Sequence, residues 1–191
     1  MKKALIITSA LEHDLPASSP ELRNKYDILV TTSFMYKHIM SDINVSCDTE
    51  VTEDIRDSFK GDYMIDKYYY STWNGGRCNY FITDSDDMRP LPFQNNFNSG
   101  CSAILLMAYY GCGEIVLSKG STLSRIDGRA YTYMELRSYA QQYERLKEIL
   151  TLDWGYQTFE NSDQFVRVAD KDESKINQGR WITKAQAHLP G

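Results

Sequence analysis

The stretch from Asn95 to Thr122, NNFNSGCSAILLMAYYGCGEIVLSKGST, constrains the fold more than any other part of the chain. Its pattern predicts loop, helix, turn, strand and loop. Asn98-Ser99-Gly100 supplies small polar groups where a helix should begin, with a Ser hydroxyl at about the cap position. Ala103 to Ala108 is an apolar run that fills a helix interior. Gly111-Cys112-Gly113 should stop it, because glycine takes the left-handed conformation at a helix end. Glu114 to Ser118 then predicts a short buried strand, with Lys119-Gly120 following at its carboxyl end. In open α/β sheets ligands bind at that edge. A helix N-terminus and a Lys-bearing glycine loop together suit a phosphate or a nucleotide. The plain alternative is that Asn98 and Ser99 simply cap a core helix.

The same pattern recurs along the chain. Ala4 to Ile7 is a short continuous apolar run, as in a central parallel strand, and Asp27 to Val30 predicts a second buried strand. They end in the hydroxyl clusters Thr8-Ser9 and Thr31-Thr32-Ser33. Ser9, Thr32 and Ser33 are therefore candidate nucleotide contacts, and ordinary turn chemistry is the alternative. Glu21 to Tyr26, Met35 to Met40 and Thr52 to Phe59 predict short helices. Ile43 to Cys47 and Tyr80 to Ile82 predict further strands. Tyr133 to Leu150 is a clear amphipathic helix, with Leu136, Ala140, Tyr143, Leu146 and Ile149 at three- and four-residue steps. Two late strands are expected, at 155–159 and 163–168. Together these predict a single α/β domain over residues 1–191: a Rossmann-like, mostly parallel sheet with helices on both faces.

Three further groups carry chemistry. Asp84 and Asp86 follow the Tyr80–Ile82 strand in D-x-D spacing. They are candidate catalytic carboxylates, or ligands for a divalent cation such as Mg or Mn beside a substrate diphosphate. Arg125 and Arg129 form a candidate phosphate clamp, since a guanidinium fork matches phosphate oxygens. The aromatics Tyr63, Tyr68, Tyr69, Tyr70 and Trp73, beside Gly75-Gly76, suit stacking on a sugar or base, binding of a protein partner, or packing at the domain's edge.

Charge and cysteine usage narrow the class. The chain of 191 residues carries 21 Lys and Arg against 26 Asp and Glu, a net charge of −5. That argues against broad, non-specific nucleic-acid binding and leaves room for a local basic groove. Cys47, Cys78, Cys101 and Cys112 lack zinc-ligand spacing and are expected as free thiols in a cytoplasmic protein. No segment reaches transmembrane length, and Glu12-His13-Asp14 arrives too early for Lys2 to Ala10 to act as a signal start.

The spacing Asn98-Ser99-Gly100-x-x-Ala103, then Ala108, Gly111 and Glu114-Ile115-x-Leu117-Ser118, resembles a block of bacterial sialyltransferase-like glycosyltransferases. The first two strands, ending in Thr31-Thr32-Ser33-Phe34, look similar as well. The resemblance implies a nucleotide-binding α/β domain that takes a CMP-sugar without a required metal. It implies that Asn98, Ser99 and Gly100 face the donor, that Thr32 and Ser33 contact the nucleotide, and that Lys119 and Gly120 lie in the loop beyond. The family's catalytic histidine has no counterpart, since no His lies between His38 and His188. Asp84 or Asp86 would then deprotonate the acceptor. The expected function is a small glycosyltransferase with a nucleotide-sugar donor and a glycan, small molecule or modified DNA as acceptor. The alternatives are a nucleotide-binding module without catalysis and a tyrosine-rich interaction domain. Assembly into a homo-oligomer is compatible with each.

Overall fold

The computed structural model describes residues 2–8, 19–47, 50–51, 54, 67–70, 77–82, 89–94, 97–118, 132–158 and 164–168. Their centre is a run of short strands that are buried on both faces. β1 (Lys3–Ile7) and β2 (Ile28–Thr32) are almost wholly buried, as is β3 (Ile43–Ser46). Such strands require helices above and below, and they pair in parallel. β1 lies between β2 and β7 (Glu114–Leu117), with Ala4 opposite Ile28 on one side and Ile115 on the other. β3 pairs in parallel with β2, and β4 (Lys67–Tyr70) with β3.

The expected mostly parallel sheet is corrected outside these five strands. β5 (Arg77–Ile82) and β6 (Arg89–Gln94) continue the sheet beyond β4 as antiparallel strands. On the far side β9 (Gln164–Arg167) pairs antiparallel with β7, and β8 (Tyr156–Thr158) antiparallel with β9. The order is β6-β5-β4-β3-β2-β1-β7-β9-β8, a mixed α/β sheet. Antiparallel neighbours need only a short connection, whereas parallel ones need a crossover. The stretch 71–76, with its Gly-Gly pair, is long enough only for the former. Pro90 and Pro92 sit in β6 at the sheet's edge, where a missing N–H breaks no central ladder.

Alternation along the strands separates two cores. Ala4, Ile6, Ile28, Val30, Ile43, Val45 and Ile115 pack against α2 (Ser99–Tyr109). Leu5, Ile7 and Leu29 pack on the opposite face against Leu22 of α1 (Ser19–Lys25) and against Met35 and Ile39. The helix expected at Met35–Met40 is instead a single 3₁₀ segment, Ser33–Lys37. In the predicted Thr52–Phe59 helix only Asp54 lies within the described residues; it is helical, as are Glu50 and Val51.

α2 is buried on every side, from Cys101 to Ala108. A helix of that kind has no polar face and must sit inside the molecule. It ends as its glycine predicts. Gly111 has φ 77; its N–H donates to the Ala108 carbonyl at 2.9 Å, and Cys112 N–H donates to the Met107 carbonyl at 3.1 Å. These two bonds form the left-handed helix stop, and Cys112 Sγ meets Met107 Sδ at 4.0 Å beside it. α3 (Tyr133–Asp153) opens on a reciprocal cap. Thr132 Oγ1 accepts from Glu135 N–H at 3.2 Å, while Glu135 Oε1 accepts from Thr132 N–H at 3.3 Å. Leu146, Leu150 and Trp154 carry α3 into the core against α2.

Candidate functional site

The strand order places one location apart from the rest. From β1 the chain moves outward through β2, β3 and β4, then returns to lay β7 on β1's other side. The carboxyl ends of β1 and β7 therefore adjoin where the order reverses, which is where open α/β sheets bind ligands. Ser118 N–H donates to the Ile6 carbonyl at 2.8 Å, and Ser118 Oγ accepts from Thr8 N–H at 3.4 Å.

The first turn of α2 stands over this edge. Asn98 is its N-cap, with extended backbone (φ −62, ψ 170) and Oδ1 accepting from Cys101 N–H at 3.0 Å. The expectation of a Ser hydroxyl at the cap is thus corrected. Ser99 is the first helical residue, and its Oγ accepts instead from Cys47 N–H at 3.1 Å, at the carboxyl end of β3. Cys47 Sγ donates to the Phe97 carbonyl at 3.3 Å. These bonds tie α2's start to β3. Gly100 ties it to β1: a Cβ there would lie 3.4 Å from Thr8 Cγ2 and 3.4 Å from Asn98 Oδ1. The amides of Ser99 and Gly100 belong to a first turn, where the helix supplies no acceptor of its own. The helix dipole adds a partial positive charge at the same point.

α3 forms a flank. Asn98 N–H donates to Gln142 Oε1 at 2.6 Å, and Gln142 Nε2 donates to Ser138 Oγ at 3.1 Å. The Arg145 guanidinium lies 5.7 Å from the centre of the Phe97 ring. At the other end the Tyr109 and Trp154 rings meet edge to face at 6.2 Å. α2 and α3 therefore run side by side in the same direction. Residues 133–141 of α3 continue past α2's first turn by about 14 Å at the rise of an α-helix.

The predicted site residues divide accordingly. Asn98, Ser99 and Gly100 lie together at the carboxyl edge. Thr32 closes β2 rather than following it; it is buried, and its hydroxyl donates to the Ile7 carbonyl at 3.5 Å. Ser33 follows at the edge, half-buried, with a left-handed backbone at φ 49. For a residue other than glycine this costs of order 1–3 kcal/mol. Ser9, Asp84, Asp86, Lys119, Gly120, Arg125 and Arg129 lie outside the described residues. Among the described residues no three His, Cys, Asp or Glu side chains group as a metal site.

Thr8, Cys47, Ser118 and Gln142 complete the edge. Thr8 was signalled as part of a hydroxyl cluster ending an apolar run, and Ser118 only as the last residue of the expected Glu114–Ser118 strand. Gln142 carries no such mark, because it sits on the polar side of an amphipathic pattern.

Two cysteines near α2 are inert. Burial pushes the Cys101 thiol up to about 12 from 9.0, outweighing the hydrogen bond from Asn98 that lowers it. Burial likewise pushes Cys112 up to about 12. Neither is a thiolate at neutral pH, and Cys47, Cys101 and Cys112 are all buried and free of disulfides. Among the described residues no helix is long and apolar enough to cross a membrane. Comparison of the chain with protein-family models, with curated proteins and with solved structures gives no match.

Proposed function

We propose that the carboxyl edge of β1 and β7 binds the phosphates of a nucleotide, and that the protein is a small glycosyltransferase using a nucleotide-sugar donor. One observation carries the reading. The first turn of α2, where a Cβ on Gly100 would lie 3.4 Å from Thr8 Cγ2, stands over the point where the strand order reverses. A glycine there lets a ligand approach the backbone, and unpaired amides at a helix start favour an anion. The parallel pairing of the five strands around β1 supports a Rossmann-like reading of the sheet's centre. Asp84 or Asp86 would be the base, or the ligands of a divalent cation, and Arg125 and Arg129 the phosphate clamp.

A second reading, nucleotide binding without transfer, is favoured by the internal use of the side chains at this turn. Asn98 and Ser99 are engaged in the cap and with Cys47, so the turn offers backbone amides rather than a reactive group.

A thermal-shift screen with CMP-, UDP-, GDP- and ADP-sugars, with and without Mn²⁺, tests both readings. A ligand that binds only the folded chain raises the melting temperature. The proposal expects a shift for one nucleotide class, with consumption of the sugar donor in the transferase case. No shift with any class, at millimolar ligand, overturns it.

Gly100→Asp sharpens the test. An acidic residue in a helix's first turn favours the helix itself. It would repel a phosphate at the same place. The expected outcome is an unfolding temperature near wild type and nucleotide affinity lower by about tenfold or more. Unchanged affinity would move the phosphates away from α2.

A further inference from the structure

Gln142 on α3 is oriented by the start of α2. The backbone N–H of Asn98 can only donate, so Gln142 must present its oxygen there, and Oε1 accepts at 2.6 Å. The Gln142 nitrogen is then turned along α3 to Ser138, one helical turn earlier, and donates to its hydroxyl at 3.1 Å. An amide nitrogen cannot accept, so Ser138 Oγ is the acceptor of this bond and its own proton is left to donate elsewhere. Within a helix the common destination is the carbonyl four residues back. Thr151 on the same helix does this, donating to the Lys147 carbonyl at 2.8 Å. Ser138 does not: among the described residues its hydroxyl bonds to Gln142 alone. Ser138 is exposed, on the part of α3 that continues past α2's first turn. The two bonds nonetheless hold its hydroxyl within about 8 Å of the Asn98 amide. The cap of α2 therefore sets, through one side-chain amide, a hydroxyl donor on the neighbouring helix beside the same turn.

We propose that Ser138, positioned by Gln142, is a specificity-determining residue of the nucleotide site, its hydroxyl donating to a hydroxyl oxygen of the sugar ring next to the bound phosphate. The inference rests on the nucleotide reading of this edge. The amides of α2's first turn take the phosphate, and Ser138 stands about one turn of α3 beyond them, where the ligand's next group lies. That group is a sugar on either side of the phosphate: the nucleotide's ribose or the sugar to be transferred. Both present hydroxyl oxygens that a neutral donor can meet. The proposal explains why the Ser138 proton is not spent on its own helix.

Calorimetric titration of the wild type and Ser138→Ala tests the proposal. The ligands are CMP, UDP, GDP and ADP, their 2′,3′-dideoxy forms and the corresponding nucleotide-sugars. Alanine is the best helix former, so Ser138→Ala should unfold at or slightly above the wild-type temperature. Its affinity for the wild type's ligand should fall about three- to tenfold, the worth of one neutral hydrogen bond. If the ring is the ribose, the loss appears with the free nucleotide and vanishes with its dideoxy form. If the ring is the transferred sugar, the loss appears with the nucleotide-sugar alone. Equal affinity of the two chains for every ligand overturns the proposal and leaves the nucleotide reading standing. A loss of the same size with the free nucleotide and its dideoxy form also overturns it, because that loss owes nothing to a sugar hydroxyl. A wild-type chain that binds none of these ligands removes the nucleotide reading and the proposal with it.

Discussion

Asn98 shows how one side chain fixes an element's start. Its Oδ1 closes the first turn of α2 while its backbone N–H reaches Gln142. Asn98→Ala should therefore cost about 1 kcal/mol of stability, read from urea unfolding, with Asn98→Asp close to wild type. The buried thiols give a second residue-scale outcome. In the unfolded chain Cys101 and Cys112 release their protons near pH 9.0, whereas in the folded chain they keep them to about 12. Between those values the unfolded state binds fewer protons, so stability falls as pH rises; below pH 8 the effect is absent. The melting temperature should fall between pH 8.5 and 10.5, and Cys101→Ala/Cys112→Ala should flatten that fall. An equal slope in the double variant would assign the loss to other groups. At this scale the cap was legible, because small polar residues stood just before an apolar run. The left-handed backbone of Ser33 was not, because the hydrogen bond on its carbonyl comes from Asn44, a residue on another strand.

At the scale of elements, α2 and α3 were readable because each carries its own start, period and stop. β1 and β2 were readable as short apolar runs, and β3, with Asn44 and Ser46 in it, more weakly. What local pattern does not encode is the partner of each strand. The antiparallel pairing of β5 and β6 beyond β4, and of β9 and β8 beyond β7, was missed for that reason, although strands near β5, β8 and β9 were expected, and a mostly parallel sheet was expected in its place. The candidate site was legible in part for the same cause. Asn98 to Gly100 announce themselves on α2, but their neighbours Thr8 and Cys47 come from β1 and β3 by tertiary packing. α2's burial also sets an energetic expectation. Leu106 is fully buried, so Leu106→Ala should destabilise by about 2–5 kcal/mol in chemical unfolding. Leu152 on α3 is 60% exposed, and Leu152→Ala should change stability by less than about 0.5 kcal/mol. Similar losses at both positions would contradict the packing of α2 between sheet and α3.

Across the whole molecule, stability should be graded from the centre of the sheet outward. β1, β2 and β3 are buried on both faces, while β6 and β8 close the two ends of the order. Local opening is cheapest where few contacts are lost. Hydrogen exchange followed by mass spectrometry should find the slowest amides in β1 to β3 and the fastest strand amides in β6 and β8. Uniform protection would show one cooperative unit instead. The pairing of Lys3 with Glu114 has a consequence for how the chain comes into being. β1 is made well before β7, and it has one bare edge until residue 114 and beyond have been made. Exposed strand edges recruit other chains. Until β7 arrives, α2 likewise lacks part of the surface it covers. Truncations that end before β7 should therefore aggregate rather than fold.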